Sequence, residues 1–449
     1  MVGTAVARNG GRFYTAKRST GTDTGGILTP DETARRGEGT PVVATPSSMP
    51  ALLLVKAYDI CGLPDMGAAP KGLLMTTVLD SNLIPVFDGH NDTILSLLGT
   101  GRSFYDRSDL GHLDRVRATE GGLVGGFFAV FVPDIDPATD EGKQVIARIG
   151  RGLEGVPLSA GTGPSLAYAQ QFTMAAVGQL LRIEGGEGAE IAFDETLGFD
   201  MPRQPLGFVH SAAELTENIE SGDFAAILHF EGAEMIDDQF YALETWHAAG
   251  LRSLGPVWSR SNVFGHGVPF AFPSSGDTGP GLTDLGKALV EACNGLGIML
   301  DVSHLNEKGF WDLAAVTEAP IVATHSNVHA ICQSSRNLTD KQFDAIKDSD
   351  GLVGLNFHCG FLRPDGARDA NTPLEVMADH LDYMVDRLGI DRVALGSDFD
   401  GALMPNDLSD CSKLPNLIAV LRQRGYDDAA LRKIGYQNWI RVLEATWGI

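Results

Sequence analysis

The sequence predicts one α/β domain built as a (β/α)8 barrel of the TIM type, enlarged by insertions. Three observations carry this. From residue 83 onward eight short apolar runs recur, each about the length of a strand. Several are nearly continuously apolar, as strands buried on both faces are. Helical patterns lie between several of them, and alternation of strand and helix is the signature of a parallel sheet.

The runs are Leu83–Phe87, Val124–Val132, Ala225–Phe230, Arg252–Trp258, Gly297–Val302, Ile321–Thr324, Leu352–Phe357 and Arg392–Leu395. Between the fourth and fifth, Thr283–Leu296 places Leu285, Ala288, Leu289 and Ala292 at helical spacing, with Gly295 and Gly297 as stop signals. Thr339–Ile346 opens with Thr339 three residues before Gln342, the pattern of a capping box. Thr372–Leu388 is a further helix, and Ser165–Ile183 another.

A barrel of this kind needs about 250 residues, so the stretch 83–449 must carry extras. The largest is expected at 134–224, Gly-rich at 149–163 and then helical. The second, Ser259–Gly281, is rich in Ser, Asn, Gly and Pro and reads as a lid over the barrel mouth. Residues 1–50 lack hydrophobic period, and residues 51–80 are broken by glycine and proline. Residues 1–74 hold eight Lys/Arg and six Asp/Glu. They are expected to be a dispensable flexible tail, or a start assigned too early, with Met75 opening the domain that runs to 449.

The 449 residues include 34 Lys/Arg against 58 Asp/Glu, a net charge of −24. Such acidity disfavours nucleic acid and anionic membrane surfaces as partners. No apolar run reaches the roughly 18–20 residues of a membrane span. Five cysteines without a C-x-x-C pair argue against a disulfide framework and for a reducing, cytoplasmic setting.

Chemistry concentrates at the ends of the strands. The first run leads into Asp88-Gly89-His90-Asn91-Asp92 and the third ends in Glu231-Gly232. The fifth, sixth and eighth lead into Asp301-Val302-Ser303-His304, Thr324-His325-Ser326-Asn327 and Gly396-Ser397-Asp398-Phe399-Asp400-Gly401. In a barrel these ends share one mouth. His90 and Asp92, two apart on a strand, face the same side. Three imidazoles (His90, His304, His325) with the carboxylates Asp92 and Glu231 suit two divalent ions, with Glu231 able to bridge them. A lone histidine at a strand end is more often structural, and His229, His266 and His329 are assigned there. His358, at the end of the seventh run, faces the same mouth and is a candidate for lining a substrate pocket.

The segments FDGHNDT at 87–93, HFEGAE at 229–234, LTDLGKALVEACNGLGIMLDVSH at 282–304, PIVATHSNVHAI at 320–331, SSRNLTD at 334–340 and GIDRVALGSDFDG at 389–401 resemble the membrane (renal-type) dipeptidase family of zinc peptidases. The likeness covers about 83–449 in order and spacing. It implies two zinc ions, one on His90 and Asp92, the other on His304 and His325, with Glu231 between. It further implies that Arg336 holds the substrate's terminal carboxylate and that Asp398 is the acid/base. A metal-bridging hydroxide would then cleave free dipeptides, and a homodimer is expected. The first strand reads His-x-Asp and the bridge is Glu, where amidohydrolase relatives often carry His-x-His and a carboxylated lysine. This favours the dipeptidase branch.

One position departs from the pattern. Many members carry a substrate-binding histidine at the end of the fourth strand, where this chain has Trp258 in a Trp-Ser-Arg context resembling a bacterial-type variant. An indole cannot become cationic, so polarisation of the peptide carbonyl there is in question, with Arg260 or His266 as replacements. Alternative readings are another binuclear hydrolase (deaminase, cyclic amidase or β-lactam-opening enzyme) or a catalytically silent barrel used for binding. Arg336 discriminates against the former, and the complete ligand set against the latter.

Overall fold

The structure, a computed structural model, describes residues 83–134, 163–189, 191–194, 199–202 and 206–448. The expected tail and the Gly-rich part of the long insertion lie outside these residues.

Eight parallel strands make the barrel: β1 (Val86–Asn91), β2 (Leu123–Phe131), β3 (Phe224–Glu231), β4 (Leu251–Gly255), β5 (Met299–Leu300), β6 (Val322–Ala323), β7 (Leu352–Leu355) and β8 (Val393–Leu395). Ladders join β1 through β5 in order and β6 through β8 in order. Parallel bridges Asp301↔Val322 and Asn91↔Phe399 close the two arcs into one ring. Hydrogen bonds Asp92 N–H to Phe399 O (2.8 Å) and Asp398 N–H to His90 O (2.9 Å) reinforce the second seam. Seven predicted strands are found in place, several of them shorter, whereas the first begins three residues later than expected and runs on through His90 to Asn91.

Alternation along the strands separates two apolar populations. Val86, Phe128, Val130, Leu228, Leu355 and Leu395 belong to the larger core cluster. Phe87, Phe127, Ile227, Met299, Val322, Leu352 and Ala394 gather in another with Trp439 of the C-terminal helix Asn438–Trp447. Trp439 packs against Phe127 with centroids 5.1 Å apart and planes inclined at 59°, and it donates its indole N–H to Leu395 O at 3.3 Å. A Cβ at Gly89 would lie 2.3 Å from the Trp439 ring, so β1 needs glycine to pass it. The barrel is thus filled on the side remote from the polar strand ends.

Helix signals behave as expected. Thr283 caps Asp284–Leu296 by accepting from Gly286 N–H, and Gly297 ends it in the left-handed region. The Thr339/Gln342 capping box is present at Asp340–Asp348. Ser165 caps Leu166–Glu184.

Two regions carry detail that the sequence does not show. The insertion before β3 is not only helical. It adds an antiparallel pair, Ile191–Asp194 with Phe199–Pro202, and a strand, Leu206–Phe208, parallel to the start of β3. The segment 259–281, read from the sequence as a lid, is tied down along its length. Val268 N–H donates to His304 O (2.8 Å), Ser335 N–H to Ala271 O (3.0 Å) and Glu307 N–H to Gly276 O (2.7 Å), so it is stitched to the loops after β5 and β6. Among the described residues, no helix is long and apolar enough to cross a membrane. Cys293, Cys332, Cys359 and Cys411 are buried and unpaired.

Candidate metal centre

Strand direction brings the five clusters to one mouth. There the Oε1 atom of Glu231 lies 3.4 Å from His90 Nε2, 2.8 Å from His304 Nε2 and 3.6 Å from His325 Nε2. His304 and His325 approach each other at 3.0 Å through Nε2, and Asp92 lies 3.7 Å from His90 Nε2. Two ligands of one tetrahedral zinc, each about 2.0–2.1 Å from the ion, stand roughly 3.3 Å apart. The observed spacings fit atoms that share a cation. Ligand atoms of His90, Asp92 and Asp398 likewise group within 4.8 Å, as do those of His90, Glu231 and His325.

The histidine protonation states point the same way. Thr324 Oγ donates to Asp301 Oδ2 at 2.5 Å, so toward His325 Nδ1, at 2.8 Å, it acts as acceptor. His325 then carries its proton on Nδ1 and presents a bare Nε2 to the mouth. Ser259 Oγ meets His304 Nδ1 at 2.8 Å, with a hydroxyl that can either donate or accept there. Burial lowers both histidines well below their ordinary value, with His90 and Arg336 acting in the same sense, so both are neutral. His90 differs. Burial would lower it, but Glu231, Asp92 and Asp398 outweigh burial and push it up to about 10. Neither of its ring nitrogens has a hydrogen-bond partner. Burial raises Glu231 and Asp398, with Asp92 adding to both. Buried carboxylates crowded around unpartnered imidazole nitrogens favour bound cations.

Asp398 and Asp400 both sit at positive φ, 63° and 66°. Asp400 is clamped by Arg102 Nη2 (2.8 Å), Thr93 Oγ (2.9 Å) and His112 N–H (2.6 Å). That clamp, together with Asn356 Nδ2 donating to Asp398 Oδ2 at 2.9 Å, presents Asp398 beside Asp92. A Cβ at Gly401 would fall 2.0 Å from Asp92 Oδ2, so only glycine lets the turn close there.

Arg336 is buried at 3% exposure and lies against the centre. It donates to Ser303 O, to His325 O at 3.3 Å and to His304 Nε2 at 3.4 Å, while its Nε is unpartnered. Burial lowers it to about 10, with Asp398 opposing, which leaves it cationic at neutral pH. Trp258 packs on Phe131 (4.5 Å between centroids) and lies 6.0 Å from the His304 ring. His358 accepts from Leu403 N–H through Nδ1 at 3.2 Å and meets Phe361 edge-on at 4.6 Å; burial pushes it down to about 3.

Arg260 is engaged elsewhere. It pairs with Glu234 (2.8 Å) and Asp134 (3.2 Å) and lies over Phe131. His266 is held by Ser261 within its own loop. His329 Nε2 donates to Ser274 O. His229 is closer to the site than its structural assignment implied: its ring lies 5.5 Å from His90 and its Nε2 3.6 Å from Asp301. Sequence reasoning gave no role to Ser259, Thr324, Asn356 or Asp301. All four adjoin ligand or strand-end motifs, but only their contacts reveal what they hold.

The fold is that of a metal-dependent hydrolase barrel, and the His, Asp and Glu groups at its mouth could hold a metal ion. Residues 197–447 match the model of the membrane dipeptidase family, peptidase family M19. A metallopeptidase structure from Rhodobacter sphaeroides, liganded with a phosphinate mimic of the dipeptide L-Ala-D-Ala, aligns with a TM-score of 0.72 at 45% identity, covering 82% of this chain and all of that one. A protein of Klebsiella pneumoniae described as uncharacterized, in the pqqA 5' region, is 50% identical over 237 residues, 53% of this chain and 88% of its own length. Dipeptidase verJ of Clonostachys rogersoniana is 27% identical over 384 residues, 82% of this chain and 88% of that protein. The chain belongs to the membrane dipeptidase family. It is a metallopeptidase with a metal cofactor.

Proposed function

We propose that the protein hydrolyses free dipeptides with two zinc ions, one on His90 and Asp92, the other on His304 and His325, Glu231 reaching both. The observation that carries this reading is the convergence of three imidazole Nε2 atoms on one oxygen of Glu231. When bound, such ions polarise a carbonyl and make water a nucleophile near neutral pH. Asp398 takes the proton of the attacking water and returns it to the departing amine, for which burial has raised it toward the working range. Arg336, with its unpartnered Nε and buried charge, grips the terminal carboxylate and so limits the substrate to two residues. The dipeptide mimic bound by the Rhodobacter relative supports this substrate class. His358 and Trp258 line the mouth without entering proton transfer. The unpaired, buried cysteines are compatible with a reducing, cytoplasmic setting.

The test is exhaustive chelation followed by reconstitution, with hydrolysis of L-Ala-D-Ala and L-Ala-L-Ala as readout. Activity should vanish and return at two zinc ions per chain. Undiminished turnover after verified metal removal would overturn the reading.

A further inference from the structure

Four aromatic rings run along one side of the centre. Trp258 packs on Phe131 and meets Phe270 edge-on at 5.7 Å; Phe270 stacks on Phe361 at 6.0 Å, with 24° between the planes. The row borders two polar groups that are themselves in contact, His304 and Arg336, whose Nε2 and Nη2 lie 3.4 Å apart. Its two middle rings, Trp258 and Phe270, lie 6.0 and 6.4 Å from the His304 ring. At the end beyond Phe270, Phe361 lies 5.4 Å from the guanidinium carbon of Arg336. Phe361 is 7% exposed, whereas Phe270 is 36% exposed. A lone exposed phenylalanine is commonplace. This one sits between Trp258 and the buried Phe361, beside His304 and the buried Arg336.

The wall is also fixed relative to that arginine. Ala271 N–H donates to Ser335 Oγ and Ser335 N–H to Ala271 O, both at 3.0 Å, so the residue after Phe270 is tied to the residue before Arg336. Val268 N–H to His304 O secures the other side.

We propose that Phe270 and Phe361 form the subsite for the side chain of the substrate's C-terminal residue, and that the protein prefers an apolar residue there. This rests on the reading that Arg336 holds the terminal carboxylate. That side chain branches from the carbon bearing the carboxylate. Once the carboxylate is held at Arg336, the side chain starts beside Phe361, and the next surface along the row is the open ring of Phe270. Neither ring offers a donor or an acceptor. A charged side chain laid on them loses water without a partner, whereas an apolar one covers exposed ring surface.

The experiment is a kcat/KM comparison on the zinc-loaded protein with L-Ala-Xaa dipeptides, where Xaa is Ala, Leu, Phe, Asp or Lys in both L and D forms. Leu and Phe should exceed Ala by about tenfold or more, and Asp and Lys should fall below it. Phe270→Ala should bring the Phe-to-Ala and Leu-to-Ala ratios toward one, and Phe270→Leu should restore most of the difference. Hydrolysis across the panel with no apolar preference overturns the subsite while leaving the dipeptidase reading intact. So does a preference that Phe270→Ala leaves unchanged. Failure to cleave any dipeptide overturns the dipeptidase reading and the subsite with it.

Discussion

On one flank of Glu231, His90 stands among the carboxylates of Asp92 and Asp398 with no hydrogen bond to either ring nitrogen. On the other, His304 and His325 are neutral rings whose Nδ1 atoms meet hydroxyls at 2.8 Å. The first flank is organised by charge and the second by directed hydrogen bonds. Charge is long-ranged and tolerant of angle, so the first flank selects for a cation without fixing one ring orientation. Hydrogen bonds are angular, so the second flank sets the orientation of its rings before any ion arrives, and Thr324 leaves the Nε2 lone pair of His325 free. Within that flank the two anchors differ again. The hydroxyl of Thr324 is committed to the Asp301 carboxylate at 2.5 Å and acts as acceptor toward His325. Ser259 stands on the stitched segment 259–281 with a hydroxyl that can turn either way.

The largest expected effect comes from removing what both flanks share. Glu231→Gln should leave less than one ion per chain by elemental analysis. Turnover should fall by more than the roughly 10²–10³-fold that loss of a single charge-stabilising contact costs. Two retained ions would show that the flanks hold metal independently of Glu231.

Asp398→Asn tests the charged flank alone. Metal content should stay at the wild-type level while kcat falls by about 10²–10⁴-fold. A proportionate loss of metal would make Asp398 a ligand rather than a proton carrier.

Thr324→Val and Ser259→Ala divide the hydrogen-bonded flank. Thr324→Val should weaken zinc binding by about 10–100-fold in chelator competition, and Ser259→Ala should lie at the lower end of that range. Ser259→Thr should restore affinity. The reverse ranking would mean that the Asp301 carboxylate does not strengthen the His325 anchor.

The smallest effect on turnover is expected from a buried histidine outside both flanks. His380 accepts from Val328 N–H through Nδ1 at 3.1 Å and faces Leu362 O through Nε2 at 2.9 Å. Burial pushes it down to about 4, with the bond to Leu362 opposing. The unfolded chain, titrating near 6.5, takes up a proton that the folded one refuses. Stability from this group is therefore complete above about pH 6.5 and is lost as pH falls toward 4, by about 3 kcal/mol in all. Thermal melts across that range should show the slope, and His380→Gln should flatten it at some cost in stability at pH 7. An unchanged slope would assign the acid sensitivity to other groups.

Much of this protein was legible in the chain alone. Eight apolar runs alternating with capped helices identify the barrel, since a strand buried on both faces must be apolar and a helix end must satisfy its orphaned amides. The residue types His90, Asp92, Glu231, His304 and His325, each at a strand end, point to a metal centre because barrel topology brings such ends together. Tertiary structure decided what depends on atoms distant in sequence. The Asp301–Thr324–His325 chain, the engagement of Arg260 with Glu234, and the stitching of segment 259–281 all join residues from different strand ends. No local propensity records these. Trp258 shows the division most clearly. Its sequence says only that an indole replaces an imidazole, and the fold makes it one ring in an aromatic wall beside Arg336. Periodicity reports which face of an element is buried, while hydrogen bonds and ring contacts report what it is buried against.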